Sequence, residues 1–506
     1  MLVNTIYKIL LIGAAMIICR CAYSQSYDNN WVFGDSIGLN FSTGEPVFFE
    51  TGINNPFEAC ASISDSDGNL LFYTNGNIVW DGNHSIMPNG EDLDIGYATP
   101  DHGSTITQGV LIAPAPLTDS LFYIIYLSRI TIGTGCCLGL KYSVVNMKLN
   151  GGLGDISEKN MLLPSDTLTE KLQLVKHGNG RDWWLIALSK VYNEGELPRF
   201  VKFLISPSGI EGPFYQAYAA TYQAIDGDNQ DMGYMKFSQQ GDKVCIAKGK
   251  DADVYDFNRC TGEFTNYINI SNLVQEWDLI NIIYGIEYAV NGRYLYISTY
   301  NYAASVSRPY LYQFCVSCPE PLEETKATIY EPDTGMYLAA MLLAPNGKIY
   351  MTSYSVDNPS DTLLYVINNP EAGGISCNFD SIKVSTGGIA FPKVNGLPNM
   401  PNYNLGPLEG SECDTLVAVN NLPPPKGIKL YPNPASDHIY LDGSEIYSSG
   451  VIDLHLYNLL GDEVFKYNNV ELNTSTSLPE LPNGLYEVVL ETGGQLIYSG
   501  KLEIYR

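Results

Sequence analysis

A serine with catalytic spacing lies near the start of the chain, in residues 34–38, which read GDSIG. This segment satisfies G-x-S-x-G, the pattern in which a sharp strand-to-helix turn exposes a nucleophilic serine. Further along, Asp81 and His84 have the spacing of an orienting carboxylate and a general base. With Ser36 as the nucleophile, the three residues would make an ester-hydrolysing site.

The surroundings of Ser36 do not suit that chemistry. No amphipathic helix follows it, and the flanking sequence alternates like β-hairpins. In the SGNH esterases, whose GDS block residues 34–36 resemble, the Asp-His pair lies near the C-terminus of an α/β domain. We therefore expect residues 34–38 to form a turn between two strands, and we assign no catalytic residue.

Two acidic segments offer the oxygen ligands that Ca²⁺ prefers. Residues 226–231 read DGDNQD, and residues 65–69 read DSDGN. Neither carries the twelve-residue calcium loop with its central glycine and closing glutamate. Because Asp-Gly and Asn-Gly also make ordinary turns, turn formation is the competing interpretation. Asp226, Asp228 and Asp231 are the calcium candidates, and no other cofactor is expected.

The overall charge excludes one class of partner. The chain has 506 residues, long enough for several domains, and a formal net charge of −27 at pH 7. A nucleic-acid-binding protein would carry a basic stripe instead. We therefore expect no nucleic-acid partner.

The first 24 residues have the features of a signal peptide. Lys8 precedes an apolar run of eleven residues at 9–19, and small residues lead up to Ser24. Cleavage is predicted between Ser24 and Gln25. The apolar run is too short to cross a bilayer, and no later segment resembles a transmembrane helix. We expect an exported, soluble mature protein.

Cysteines and histidines are too scattered to define a metal site. The chain has 11 cysteines and 5 histidines, and no H-E-x-x-H pattern occurs. Cys315 and Cys318 have CxxC spacing, but a structural zinc site needs a second such pair. A local disulfide or two half-buried thiols is the competing interpretation. Removal of Cys19 and Cys21 with the signal peptide leaves an odd number of cysteines, so one thiol must stay free.

One pattern recurs between residues 30 and 405: a turn with glycine, a short aromatic and β-branched strand, a polar gap and a second strand. Clear copies begin at Gly68, Gly241, Gly292 and Gly347, and the last three glycines are 51 and 55 residues apart. A period near this length with several short strands per unit predicts a β-propeller. About seven blades fit residues 25–408, with six or eight as alternatives. A right-handed β-helix is the competing fold.

The repeat ends before a proline- and glycine-rich stretch. Residues 409–426 include three consecutive prolines at 423–425 and are predicted to form an extended linker. Residues 427–506 then alternate like the strands of a small immunoglobulin-like β-sandwich. The expected fold class is all-β, a β-propeller followed by a β-sandwich.

Residues 427–506 resemble the type A C-terminal sorting domain of the type IX secretion system of Bacteroidota. Three blocks carry the resemblance in order: YPNPASD at 431–437, LYNLLGDEV at 456–464 and LPNGLY at 481–486. The resemblance implies that the type IX secretion machinery recognises this domain and carries the protein across the outer membrane. Either release or attachment to the cell surface would follow. The matching residues are Tyr431, Pro432, Asn433, Pro434, Ala435, Asp437, Gly461, Gly484 and Tyr486.

Two further resemblances concern the region before the linker. Residues 30–34, 67–76 and 284–288 look like the propeller passengers of secreted Bacteroidota proteins, which supports the fold and leaves the ligand open. Six Asp-Ser or Asp-Thr pairs followed by an aliphatic residue resemble the Bacteroidota O-glycosylation motif. Asx turns are the competing interpretation. Thr167 and Thr415 are the first candidates, followed by Ser36, Ser120, Thr362 and Ser381.

These features favour a secreted, non-enzymatic propeller that binds a glycan or a protein. Tyrosine is abundant, at 37 residues, and some should lie on the faces of the ring, where aromatic side chains commonly contact sugars or proteins. A secreted propeller hydrolase or lactonase, with a site in the central channel, is the alternative. Three or more converging acidic or histidine side chains in the channel would favour the enzyme.

Overall fold

The computed structural model divides the chain into two units, Met1–Asp414 and Thr415–Arg506. No helix within the described residues is long and apolar enough to span a membrane. The residues that the structure describes are 26–54, 58–98, 103–132, 135–190, 198–218, 231–270, 281–301, 310–331, 336–355, 363–383, 396–414, 428–443, 452–458, 463–492 and 495–505.

The first unit is a ring of antiparallel blades, in which strands that follow one another in sequence pair side by side. The first three blades use residues 30–168. Blade 1 contains β1 (Asn30–Phe33), β2 (Ile37–Asn40) and β3 (Val47–Glu50); blade 2 contains β4 (Ala61–Ser64), β5 (Leu70–Thr74) and β6 (Val79–Asp81); blade 3 contains β7 (Val110–Pro114), β8 (Leu121–Ile132), β9 (Gly135–Asn146) and the first part of β10 (Asp155–Lys176).

The remaining blades each have four strands. Blade 4 contains the second part of β10 with β11 (Trp183–Ser189), β12 (Arg199–Ser206) and β13 (Gly209–Ala217); blade 5 contains β14 (Met235–Phe237), β15 (Lys243–Lys248), β16 (Asp251–Asn258) and β17 (Glu263–Ile270); blade 6 contains β18 (Asn281–Tyr288), β19 (Tyr294–Asn301), β20 (Leu311–Cys315) and β21 (Ala327–Tyr330); blade 7 contains β22 (Met336–Leu343), β23 (Ile349–Ser355), β24 (Leu363–Ile367) and β25 (Phe379–Lys383).

Strand β10 belongs to two blades. Its residues up to Leu168 pair with β9, and its residues from Leu168 onwards pair with β11. Blades 3 and 4 therefore share one continuous seven-stranded sheet. Counted this way, the described strands form seven blades, which confirms the predicted propeller.

Burial decreases from the centre of each blade outwards. All seven residues of β11, which read WWLIALS, are buried, whereas the outermost strand of the same blade, β13, is largely half-buried or exposed. An inner strand is covered on both faces by neighbouring blades, so it needs apolar residues at consecutive positions. This requirement explains the short aromatic and β-branched runs in the sequence.

The turns between the first and second strands of blades 2 to 7 lie at one face of the ring, called here the hairpin face. Gly68, Gly241, Gly292 and Gly347 occupy four of these turns, with φ of 86°, 70°, 69° and 77°. L side chains rarely adopt such angles, and glycine adopts them without steric cost. The glycines that mark the sequence repeat are therefore required by the turn geometry.

Blades 1 and 7 close the ring. The rings of Trp31 on β1 and Tyr350 on β23 meet edge to face, with centroids 5.9 Å apart. At the hairpin face, Lys348 Nζ lies 2.7 Å from Glu45 Oε1, and the Asn346 side chain donates to the Gly44 carbonyl. Closure buries both terminal blades, as a ring of marginal single sheets requires.

The second unit is a small β-sandwich of two antiparallel sheets. A single apolar core, which includes Ile439, Leu454, Val488 and Leu502, lies between them. One sheet has the order β26-β27-β30 and the other β29-β28-β31-β32. The strands are β26 (Lys429–Tyr431), β27 (His438–Asp442), β28 (Ile452–Tyr457), β29 (Glu463–Val470), β30 (Ser475–Ser477), β31 (Gly484–Thr492) and β32 (Gln495–Ile504).

Candidate functional site

Residues 396–405, called here the channel segment, run along the centre of the ring. At one end, the space beside Gly396 is filled by the backbone of Glu58, at the start of blade 2. At the other end, the Asn402 side chain donates to the Gln239 carbonyl in a turn of the hairpin face, at 2.9 Å. The segment therefore passes through the channel from the opposite face to the hairpin face.

Asn399 fixes the middle of this segment. Its backbone N–H donates to the Cys60 carbonyl and its side-chain Nδ2 to the Leu172 carbonyl, at 2.9 and 3.0 Å. Its Oδ1 accepts from Gln173 Nε2 at 2.9 Å and lies 3.5 Å from Gln108 Nε2. A buried amide with all these partners rigidifies its surroundings. The centre of the ring is thus occupied by the protein's own amide network.

After the channel segment, the chain is attached to blades 4 and 5. The Leu408 N–H donates to the Gly178 carbonyl at 2.7 Å, and Arg259 donates to the Gly406 carbonyl. A disulfide then joins Cys413 to Cys260, in the turn between β16 and β17. Residues 409–414, predicted as the start of a linker, therefore belong to the first unit of the structure.

A cavity of about 270 Å³, called here the channel cavity, opens beside the segment at the hairpin face. Its walls come from the inner strands and turns of blades 4 to 7, from the start of blade 1 and from the segment itself. Backbone and amide groups alternate there with aliphatic side chains, an arrangement typical of sites for small polar ligands. The polar side chains of its lining are Asp28, Asn29, Gln173, Lys236, Ser238, Gln239, Glu287, Asn402 and Asn404.

Burial raises the pKa of two carboxyl groups in the channel cavity. Burial raises the pKa of Glu287, and this effect is opposed by Lys236, whose Nζ lies 3.1 Å from Glu287 Oε2. Burial also raises the pKa of Asp28, to about 6. Because desolvation disfavours a carboxylate, both acids can hold a proton more readily than exposed ones.

Other acidic groups surround the opposite end of the channel. Glu170 Oε2 accepts from both the backbone N–H and the hydroxyl of Thr107, at 2.9 and 2.8 Å, and burial raises its pKa. Burial raises the pKa of the Tyr284 hydroxyl, and the negative charge of Glu58 is the next cause. Burial lowers the pKa of Lys171 to about 8, an effect that the charges of Asp231 and Glu170 oppose. Clusters of perturbed groups are common at functional sites.

The serine motif forms the expected turn. Ser36 has φ of 61° between β1 and β2, and its backbone N–H donates to the Ile53 carbonyl. His84 Nδ1 lies 3.1 Å from the Tyr73 hydroxyl, while Asp81 Oδ1 accepts backbone N–H groups from its own turn. The carboxylate is therefore used to close a turn, and the imidazole is directed to a tyrosine.

The acidic segments are also engaged locally. The Asp231 carboxylate forms an ion pair with Lys190, and Asp226 and Asp228 lie outside the described residues. In the other segment, Asp65 Oδ1 accepts the N–H groups of Asp67 and Asn69, the geometry of an Asx turn. Within the described ranges, no three His, Cys, Asp or Glu side chains form a group that could hold a metal ion.

Cys315 and Cys318 form a local disulfide, and Cys60, Cys245 and Cys377 are buried free thiols. Among the O-glycosylation candidates, Thr167 is half-buried on β10, Ser120 is buried and bonded to Thr118, Ser36 is half-buried and Ser381 is exposed. Thr362, Thr415 and the predicted cleavage site at Ser24 and Gln25 lie outside the described residues, and their assignments stay predictions.

In the second unit, the YPNPASD block connects the first strand to the last. Asn433 Nδ2 donates to the Lys501 carbonyl at 2.7 Å, and its Oδ1 accepts from the Glu503 N–H at 2.8 Å. Ala435 is buried and exchanges backbone hydrogen bonds with Glu503 and Tyr505. The peptide bonds before Pro432 and Pro434 are cis. The block therefore closes the sandwich as well as beginning it.

The remaining motif residues lie at strand ends. Asp437 binds His438, Gly484 begins β31, and the Tyr486 hydroxyl donates to the Pro482 carbonyl at 2.8 Å. Gly461 lies outside the described residues. The family described as the secretion system C-terminal sorting domain matches residues 429–504. The second unit is a secretion sorting domain. A sorting domain of this type directs its protein across the outer membrane to the cell surface or the extracellular space.

Solved structures resemble the chain at low identity. A candidate 6-phosphogluconolactonase from Bacteroides fragilis is 13% identical over 75% of this chain and 99% of that chain, with a TM-score of 0.43. The periplasmic gluconolactonase of Pseudomonas aeruginosa is 10% identical over 71% and 96%, with a TM-score of 0.43. A Lactobacillus plantarum protein is 12% identical over 73% and 98%, with a TM-score of 0.42. No curated protein matches the chain.

Sequence reasoning missed the residues of the channel. The channel segment, GLPNMPNYNL from residue 396, has no strand alternation, and its sequence does not predict a place in the channel. Its asparagines and its tyrosine were a usable signal, because a stretch without strand alternation that still carries such side chains can supply hydrogen bonds to a core. Lys236, Glu287 and Asp28 had no distinguishing signal in the sequence.

Proposed function

We propose that this secreted propeller is a recognition protein that binds a glycan in the channel cavity. The observation that carries the proposal is the occupied channel: the ring centre is filled by the Asn399 network, and the space left at the hairpin face is a small, amide-rich cavity. Hydroxyl groups of a sugar match amide and backbone groups in both donor and acceptor capacity. The volume of about 270 Å³ suits a single sugar ring at the end of a longer chain.

The position of the cavity fits a role in binding. It is formed by turns on one face of a rigid ring, and such turns are where binding residues most often lie. One of its two acids is engaged: Glu287 is held by Lys236 and by two backbone N–H groups. A pair of carboxyl groups free to act as acid and base is therefore not available within the described lining.

The test blocks the mouth of the cavity without disturbing the core. Val290 lines the cavity and is 43% exposed, so Val290→Trp should cover the opening and leave the fold intact. Ile375→Trp, at a position that is 86% exposed and outside the cavity, is the matched control. Binding of the mature protein to an array of bacterial and host glycans should be lost in the first variant and kept in the second. Absence of glycan binding by the unmodified protein, or equal binding by both variants, would overturn the proposal.

A hydrolase remains the second candidate, because Glu58, Glu170 and Asp231 lie around the opposite end of the channel near Lys171 and Tyr284. Burial raises the pKa of the Glu170 carboxyl group, and a general acid requires a raised pKa of this kind. Purified protein should then hydrolyse a lactone or an ester, and Glu170→Gln should abolish the activity. If Ser36→Ala abolished the activity instead, Ser36 would be the nucleophile and the serine motif would be catalytic.

A further inference from the structure

A second cavity lies beside the channel cavity on the hairpin face. It has a volume of about 260 Å³ and is bounded by the turn after β7 and by the turn between β10 and β11. Tyr27 and Tyr403 line it, while their neighbours Asp28, Asn402 and Asn404 line the channel cavity. The two cavities therefore lie on either side of the same two chain segments. This side cavity is lined by Tyr27, residues 114–118, Lys176, Gly180, Arg181, Trp183 and Tyr403.

Lys176 places a positive charge in the side cavity. Its ammonium lies over the Trp183 ring, 4.3 Å from the centroid, and no carboxylate of the described residues lies within ion-pair distance of it. Burial lowers its pKa to about 8, so it is still mostly protonated at pH 7. The Trp183 ring and the charge of Asp182 offset part of the cost of burying this ammonium, and an anionic ligand would offset more of it.

Arg181 adds a second cation on the same turn. Asp182 accepts from Arg181 Nε and Nη2 at 2.7 and 3.0 Å, and it also accepts from the Asn179 side chain at 2.8 Å. The acid nearest to Lys176 on this turn is therefore already occupied. Asp119, which follows the lining residue Thr118, is an opposing charge: burial raises the pKa of Tyr27, and the charge of Asp119 is the next cause.

We propose that the side cavity binds the carboxylate of an acidic sugar, while the channel cavity holds the neighbouring sugar of the same chain. The ligand would be an oligosaccharide that contains uronic acid residues. A cation without an ion-pair partner at a concave site, Lys176, is a selective feature in a chain with 28 basic and 55 acidic residues rather than a consequence of composition. The inference rests on the proposed glycan binding and specifies the class of glycan.

The experiment compares acidic oligosaccharides with their methyl esters, which keep the sugar and remove the charge. Short oligomers of galacturonate, glucuronate and mannuronate, each as acid and as ester, are titrated into the mature protein by calorimetry. At least one acid should bind roughly tenfold more tightly than its ester, and Lys176→Met should remove the difference. Asp119→Asn should strengthen binding of the acid. Lys148→Met, at an exposed lysine outside the cavity, is the matched control.

The outcomes separate this inference from the proposed function. Equal binding of acid and ester in every pair, or an acid preference that survives in Lys176→Met, would overturn the anionic subsite. Neutral glycans bound in the channel cavity would then still support the proposed function. Failure to bind any glycan, acidic or neutral, would overturn both. An unchanged thermal unfolding midpoint in Lys176→Met would show that the variant is folded, so that its loss of acid preference is not caused by unfolding.

Discussion

Lys236 and Glu287 form an ion pair on the inner strands of blades 5 and 6, with Nζ 3.1 Å from Oε2. Both side chains are almost excluded from water. Glu287 also accepts the N–H groups of Tyr288 and Leu343, and Lys236 donates to the Met400 carbonyl. One buried pair thus connects three blades and the channel segment.

Removal of either partner should destabilise the propeller strongly. Lys236→Met leaves the Glu287 carboxylate buried without its cation, and Glu287→Leu leaves the Lys236 ammonium buried without its anion. Each variant should therefore lower the free energy of unfolding by about 3–5 kcal/mol. The double variant should recover part of this loss. Urea unfolding at pH 7 measures the free energy of unfolding of each variant. Lys348→Met is the control, because the pair of Lys348 with Glu45 at the surface should contribute at most about 1 kcal/mol. Additive losses in the double variant would contradict the coupling.

The long-range disulfide should stabilise more than the local one. Cys260 and Cys413 are separated by 153 residues, and Cys315 and Cys318 by 3. A cross-link restricts the unfolded chain more when the loop is longer, so Cys260→Ala/Cys413→Ala should cost about 2–5 kcal/mol, and Cys315→Ala/Cys318→Ala clearly less. Thermal unfolding with and without reductant gives the comparison. The reverse order would be inconsistent with the Cys260–Cys413 bond.

Asp28 should make stability depend on pH. Its folded pKa is about 6 and its ordinary value is 3.8, so the folded state binds more protons between these values. The free energy of unfolding should therefore fall as pH rises from about 4 to 6, by an amount of the order of 1 kcal/mol. Asp28→Asn should remove this part of the dependence and stabilise the protein at pH 7 but not at pH 4. Asp67→Asn, at an exposed position, should leave the profile unchanged.

Export should require the folded sorting domain. Deletion of residues 427–506 should trap the protein in the periplasm, and secretion at the normal level would disprove the sorting role. Leu454→Asp, which places a charge in the core of the sandwich, should have the same effect as the deletion. Tyr467→Asp, at a position that is 44% exposed, tests whether the effect comes from unfolding. Fractionation of producing cells and immunoblotting provide the measurement.

The sequence revealed the fold where the physical requirement was local. A turn that needs φ near +70° accepts glycine, and Gly241, Gly292 and Gly347 therefore mark each repeat directly. The sorting domain was predicted from its resemblance to a known family in three short blocks, and the structure shows that Asn433 and Ala435 of the first block close the sandwich. Such features can be read from a few neighbouring residues.

The candidate site could not be read in this way. Gln173 and Asn399 are bonded although they are 226 residues apart, and Lys236 meets Glu287 from another blade. None of these four residues belongs to a recognisable spacing pattern, because each meets its partner through closure of the ring and not through local structure. The serine motif shows the converse: Ser36, Asp81 and His84 have suggestive spacing, and the fold uses them in separate turns.

The Cys260–Cys413 bond also determines where mechanical load enters the propeller. Cys413 is the last cysteine before the sorting domain, so tension on the downstream chain reaches the turn between β16 and β17 before it reaches the channel segment. The bonds of Asn399, Asn402 and Tyr403 are shielded from that pull. A pulling force applied to the C-terminus would then leave the hydrogen bonds at the centre of the ring intact.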